Sequence, residues 1–274
     1  MRSASNIGIG LALSLAGAAD ADVVLRAANS ATTSSTLVGG DRRLDALGFV
    51  GSPTQFGDAH FSVFGDGLLA NNLGTFLWND PIPRDMTASG NSVWSNPDRA
   101  VGSTPYSLEG SGAGTLAEVF GTSLGFRNMS YLIDAEDNRA WFMDLLFHTG
   151  YSLLADGDGT TVELAVLERG GNSDFRIYGI RADASLTEAI FVPRSATGAV
   201  GWSLRSLEIS NPQPVHGVGI SVPVDWNAIV GLRIEALSSY NGPDIVGVAA
   251  MAVIPAAPAI APLLFIAGPR RRRQ

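Results

Sequence analysis

The chain has 274 residues, 26 of them acidic and 18 basic, and every basic residue is arginine. It contains no cysteine, so a disulfide scaffold is excluded and cohesion must come from burial of an apolar core. A formal charge of -8 argues against a phosphate-backbone partner, and 32 glycines with only 16% charged residues suit an exported β protein whose surface is Ser, Thr, Asn, Asp and Gly.

At the N-terminus Arg2 precedes an apolar run, Ile7 to Ala19, and then Ala19-Asp20-Ala21. This is the order of a secretory signal peptide, and the run is too short for a stable transmembrane helix. Residues 1–21 are therefore expected to be removed after Ala21, with Ala18 as the alternative cut; a buried N-terminal helix or strand is the competing reading. Between Asp22 and Val253, 25 acids face 13 arginines, a net charge of -12.

Residues 22–253 are expected to form one domain. Period-two alternation predicts strands at Val23 to Ala27, Phe61 to Phe64, Thr75 to Trp78, Met129 to Ile133, Trp141 to Phe147, Val162 to Glu168 and Phe175 to Ile180. More follow at Ala189 to Val192, Trp202 to Ile209, Val215 to Val222, Leu232 to Ala236 and Ile245 to Val253, each with one wet face and separated by Gly, Asn, Asp, Pro and Ser clusters. Short helices are expected at Arg42 to Leu47, Leu186 to Ile190 and Trp226 to Ile229. The pattern predicts an all-β fold, an antiparallel β-sandwich of jelly-roll kind, with apolar segments at both termini.

Four features bear on chemistry. Gly121-Thr122-Ser123-Leu124-Gly125 matches G-x-S-x-G, with Asp174 and His216 in the chain order of a hydrolase triad, although Phe126 to Ile133 reads as a strand where the motif needs a helix. Asp156-Gly157-Asp158-Gly159-Thr160 resembles the start of a calcium loop, with Asp156 and Asp158 as the candidate ligands and Glu163 and Glu168 nearby; a hairpin turn explains it equally well. Glu168-Arg169-Gly170-Gly171-Asn172-Ser173-Asp174 joins two strands through a turn, as an ion-pair cluster or a contact surface. His60, His148 and His216 lack any zinc-ligand spacing, and Trp78, Trp94, Trp141, Trp202 and Trp226 could stack on sugars or fill the core, which is the expectation for Trp141 and Trp202.

From Ile254 to Gln274 the chain reads IPAAPAIAPLLFIAGPRRRRQ. The sixteen residues from Ile254 to Pro269 would reach about 24 Å as a helix, short of a roughly 30 Å hydrocarbon core, and Arg270 to Arg273 would stay on the cytoplasmic side. A transient membrane contact is expected.

This segment resembles the sorting signal of the PEP-CTERM family of exosortase substrates. The resemblance rests on Pro255 and Pro258, the apolar Ala259 to Gly268, and Arg270, Arg271, Arg272 and Arg273, with Pro255-Ala256-Ala257-Pro258 standing where the family has Pro-Glu-Pro. It implies export, brief tethering, cutting near the prolines by a membrane sorting protease of transpeptidase type, and delivery to the cell surface or an extracellular polysaccharide. The expected role is structural or adhesive and not enzymatic, with no nucleic-acid partner and no cofactor beyond the calcium candidate. A secreted carbohydrate-binding module or hydrolase is the alternative.

Overall fold

The computed structural model describes residues 23–38, 41–61, 63–71, 98–99, 131–132, 140–204 and 212–254. In chain order its elements begin with β1 (Val24–Ala27), β2 (Ser34–Val38), β3 (Asp41–Gly48), β4 (Gln55–Phe56), a single helical turn α1 (Asp58–Phe61), β5 (Phe64–Asn71), β6 (Asp98–Arg99) and β7 (Tyr131–Leu132). Next come β8 (Trp141–Phe147), β9 (Ser152–Leu153), β10 (Leu164–Arg169), β11 (Phe175–Ile180) and β12 (Ile190–Val192). The remainder are β13 (Gly198–Leu204), β14 (Gln213–Ser221), β15 (Gly231–Ala236), β16 (Asp244–Ala250) and β17 (Ala252–Val253).

The expected all-β architecture is present as a sandwich of two antiparallel five-stranded sheets. The first runs β1-β14-β10-β16, with β13 also on β14; the second runs β12-β11-β15-β8-β5. From β10 to β16 the chain passes back and forth between the sheets, as a jelly-roll-like topology requires. Between them Trp141, Met143, Phe175, Ile177, Leu232 and Ile234 of the second sheet meet Leu164, Val166, Val218, Ile220 and Val248 of the first.

The expectation of one wet face holds for the second sheet, where Arg233 and Glu235 alternate with buried neighbours, and fails for the first. All six residues of β10 and all seven of β16 are buried, because a third, partial layer covers the outer face of that sheet. There Leu44, Leu47, Phe49, Phe56 and Phe61 pack against Ala165, Leu167, Val215, Val246 and Ala249. Close approach here depends on glycine. The Phe49 ring lies where a Cβ on Gly219 would come within 2.7 Å of it, and a Cβ on Gly198 would meet the Ala28 carbonyl at 2.5 Å.

Two irregularities explain departures from simple alternation. Ser34 pairs with Ala46 but Ser35 with Leu44, so Asp45 is bulged and Leu44 and Leu47 share a buried environment at a three-residue spacing. That spacing is helix-like, and the expected helix at Arg42 to Leu47 is strand β3. On β16 the register steps from Gly247 opposite Leu167 to Ile245 opposite Glu168, bulging Val246 outward and turning Ile245 into the inter-sheet core.

The other two expected helices are also corrected. Leu186 forms an extended bridge to Ile180, and Pro223 starts a 3-10 turn at Val224–Trp226, ahead of the expected helix. Phe61 closes α1, so β5 begins only at Phe64. The expected strand at Thr75 to Trp78, most of Met129 to Ile133, the end of Trp202 to Ile209 and both terminal segments lie outside the described residues.

Candidate functional site

The first candidate is the loop between β9 and β10. Asp156 accepts the Asp158 amide at 2.7 Å, and Asp158 accepts the Thr160 amide and hydroxyl, both at 2.9 Å. These are side-chain-capped turns, with Gly157 at φ 69° supplying the left-handed residue. Burial opposes the charge of Asp156, but the Asp158 amide and Thr161 hydroxyl hold its carboxyl below the ordinary value. Burial pushes Glu163 up to about 7, with the charge of Asp156 adding to the shift. Asp156 and Asp158 cap the turns of this loop, and among the described residues no group of three or more His, Cys, Asp or Glu side chains is arranged to hold a metal ion.

The second candidate, Glu168 to Asp174, is the corner where the chain leaves the first sheet for the second. Arg169 is fully buried and donates through Nε and Nη2 to Asp244 Oδ2 at 3.1 and 2.7 Å. Glu168 is 2% exposed; its Oε2 accepts the Gly171 amide at 2.6 Å and burial pushes its pKa up to about 8, so it is largely uncharged at neutral pH. Ser173 donates to the Asn241 carbonyl at 2.8 Å, and Asp174 binds the Arg194 amide and guanidinium. These contacts favour the ion-pair reading of this loop over an open contact surface.

Two members of the triad order read from the sequence, Asp174 and His216, have other partners. Asp174 is engaged by Arg194, whereas His216 packs against Gly171 with its Nδ1 3.2 Å from the Thr197 hydroxyl. Burial lowers the pKa of His216. Ser123 and the rest of Gly121 to Gly125 lie outside the described residues, as do Ala19, Ala21, Pro255, Pro258 and Arg270 to Arg273.

A third feature is the outer face of the second sheet. Its alternate residues Arg176, Tyr178, Arg233 and Glu235 form a network: Tyr178 donates to Glu235 at 3.0 Å, Arg176 pairs with the same carboxylate at 3.4 Å, and Arg233 grips Asp144 at 2.6 and 2.7 Å while lying over Phe142. Arg176 also lies over Tyr240, whose ring is 5.6 Å from that of Phe191, a residue 47% exposed. Trp141 and Trp226 are buried in the interior, and Trp202 is partly buried against the second core cluster; Trp78 and Trp94 lie outside the described residues. The alternation in FRIYGI and LRIEA marks Arg176, Tyr178, Arg233 and Glu235 on this face, whereas the ring pair Phe191 and Tyr240 lies outside both stretches.

At the end of the sandwich where the described chain stops, a cavity of ≈ 540 Å³ is lined by His60, Val63, His148, Tyr151 and the segment Met251 to Ile254. His60 and His148, 88 residues apart in sequence, thus share one cavity, although His60 Nδ1 already accepts the Gly57 amide at 3.0 Å. No described helix is long and apolar enough to cross a membrane. Comparisons with protein-family models, curated proteins and solved structures found no match.

Proposed function

We propose that this chain is an exported protein of the cell surface or extracellular matrix, with a structural or adhesive role, delivered through its C-terminal segment 254–274. The observation that carries the reading is how the chain leaves the sandwich. Among the described residues strand β17 pairs only with the two-residue β9, and Val253 and Ile254 are 42% and 66% exposed immediately before the proline motif. A tail attached there can be held or cut without disturbing the core. The ion-paired corner at Arg169 and the third layer over the first sheet provide the cohesion that an exported, cysteine-free domain needs.

The test compares cells making the full chain with cells making a chain that ends at Ile254. The full chain is expected in the envelope and the shortened one in the medium or periplasm; an identical distribution contradicts sorting through the tail.

A carbohydrate-binding role is the second reading, favoured by the exposed Phe191 ring beside Tyr240, Arg176 and Glu235. Aromatic faces next to charged hydrogen-bonding groups suit sugar rings and their hydroxyls.

A further inference from the structure

Apolar exposure concentrates where the described chain stops. Seven large apolar side chains are exposed among the described residues, and three of them, Leu154, Val253 and Ile254, gather at the β9–β17 pair. Ala252 pairs with Leu153 and both are buried, so alternation turns Leu154 and Val253 to the opposite, outer face. Beside them opens the cavity of ≈ 540 Å³, walled by Ala59, His60, Val63, His148, Tyr151 and the segment Met251 to Ile254. A concave site of that size next to grouped apolar side chains suits an apolar occupant.

The continuation of the chain supplies one. Ile254 is both a wall of the cavity and the last described residue, and residues 255–274 follow it. Within them 259–268 carry no charge and include Ile260, Leu263, Leu264, Phe265 and Ile266. Leu263 is nine residues beyond Ile254, an extended reach of roughly 30 Å, which is ample for turning back into the cavity. A tether this short presents the segment at an effective concentration on the order of millimolar, which a second copy in dilute solution does not match. Pro258 and Pro262 have no amide proton, so burying this stretch leaves fewer donors to satisfy.

Charge points the same way. The loop between β9 and β10 adjoins the cavity, because the Leu154 amide donates to the Met251 carbonyl and the Met251 amide to the Glu163 carbonyl, each at 2.8 Å. That loop exposes Asp156 and Asp158. Arg26 reaches it too, but its guanidinium binds the carbonyls of Gly159, Gly51 and Val50. Arg270 follows Ile266 by four residues, so seating Ile266 brings the arginine run within roughly 14 Å of the rim. Opposite charges at the rim set the direction in which the segment enters, with a strength that falls as salt rises.

We propose that in water the chain's own segment 259–266 folds back and seats side chains of its Leu263 to Ile266 cluster in this cavity, with Arg270 to Arg273 lying toward Asp156 and Asp158. The tail then has two apolar hosts, the cavity in solution and the hydrocarbon of a bilayer, and the cavity shields it from other copies until a bilayer is met. Seating requires neither export nor cutting, so it stands or falls apart from the sorting reading.

The chain has no cysteine, so a pair introduced at exposed positions reports proximity without background. In the full chain, free of membranes and detergent, Ala59→Cys with Leu264→Cys is expected to form an intramolecular disulfide under oxidised glutathione about tenfold faster than Asn172→Cys with Leu264→Cys. Ala59 lines the cavity, whereas Asn172 lies in the loop beyond the other end of β10. Equal rates overturn the seat. So does a disulfide-linked dimer as the main product, which would make a second copy's tail the occupant. Adding Leu263→Ser, Phe265→Ser and Ile266→Ser to the first pair is expected to bring its rate down to that of the second; an unchanged rate overturns apolar seating and leaves only chance encounters of a tethered tail. Replacing Arg270 to Arg273 with serine is expected to slow the first pair about threefold and to remove its salt dependence. A rate unchanged by that replacement overturns the part given to Asp156 and Asp158.

Discussion

Arg169 and Asp244 are direct cross-strand partners on β10 and β16, and their side chains meet at 2.7 Å with the arginine fully shielded from water. A buried pair of this kind is costly to break, because the survivor is left charged in a poor solvent. Asp244→Ala is expected to destabilise the protein by about 3–5 kcal/mol in urea unfolding, whereas the paired replacement Arg169→Met with Asp244→Leu should recover much of that loss. Equal losses in the two variants would contradict the burial argument.

Gly198 sits where β1 and β13 share the same edge of β14, against the Ala28 carbonyl. Main chain cannot swing aside as a side chain can. Gly198→Ala is expected to cost about 1–3 kcal/mol by forcing the two strands apart. Gly57→Ala, whose new methyl would find only the Asp45 carbonyl at 3.8 Å, should change stability by less than about 0.5 kcal/mol. The pair of thermal unfolding midpoints checks both values.

Stability should fall as pH rises. Burial raises Glu163 to about 7 and Glu168 to about 8 from an ordinary 4.5, so the folded chain holds more protons than the unfolded one across this range. Their contribution is therefore full below about pH 4.5 and is lost through pH 7 to 8. Unfolding free energies measured at one-unit intervals should decline over that window, and Glu168→Gln should remove the upper part of the decline.

If the outer face of the second sheet meets polysaccharide, Phe191→Ala and Arg176→Ala should each weaken retention on extracellular polysaccharide from the native cells by about tenfold or more. Unfolding midpoints should move little, because both side chains lie on the solvent side. Retention unchanged in both variants would leave the structural role without this adhesive surface.

The second sheet was legible in the sequence because its physics is local. Strands β8 and β11 coincide with the expected spans, since one face is wet and Arg176, Tyr178, Arg233 and Glu235 mark it. The strands of the first sheet were legible too, but its expected wet face is absent because Phe49, Phe56 and Leu44 cover it from more than a hundred residues away, and that cover permits apolar residues on both faces of β10. Strand β3 was hidden by its bulge at Asp45. The Glu168 to Asp174 corner was visible as a turn, but the partner of Arg169 lies 75 residues on and its position depends on the bulge at Val246, which no local pattern announces.

Processing at both ends is the central claim, and the intact mass of the protein recovered from membrane, surface and medium fractions of its native cells tests it most directly. The account predicts loss of residues 1–21 and of the segment beyond about Pro255 in the surface or medium fraction. Recovery from membranes with Arg270 to Gln274 still attached, and no shorter form elsewhere, would contradict it.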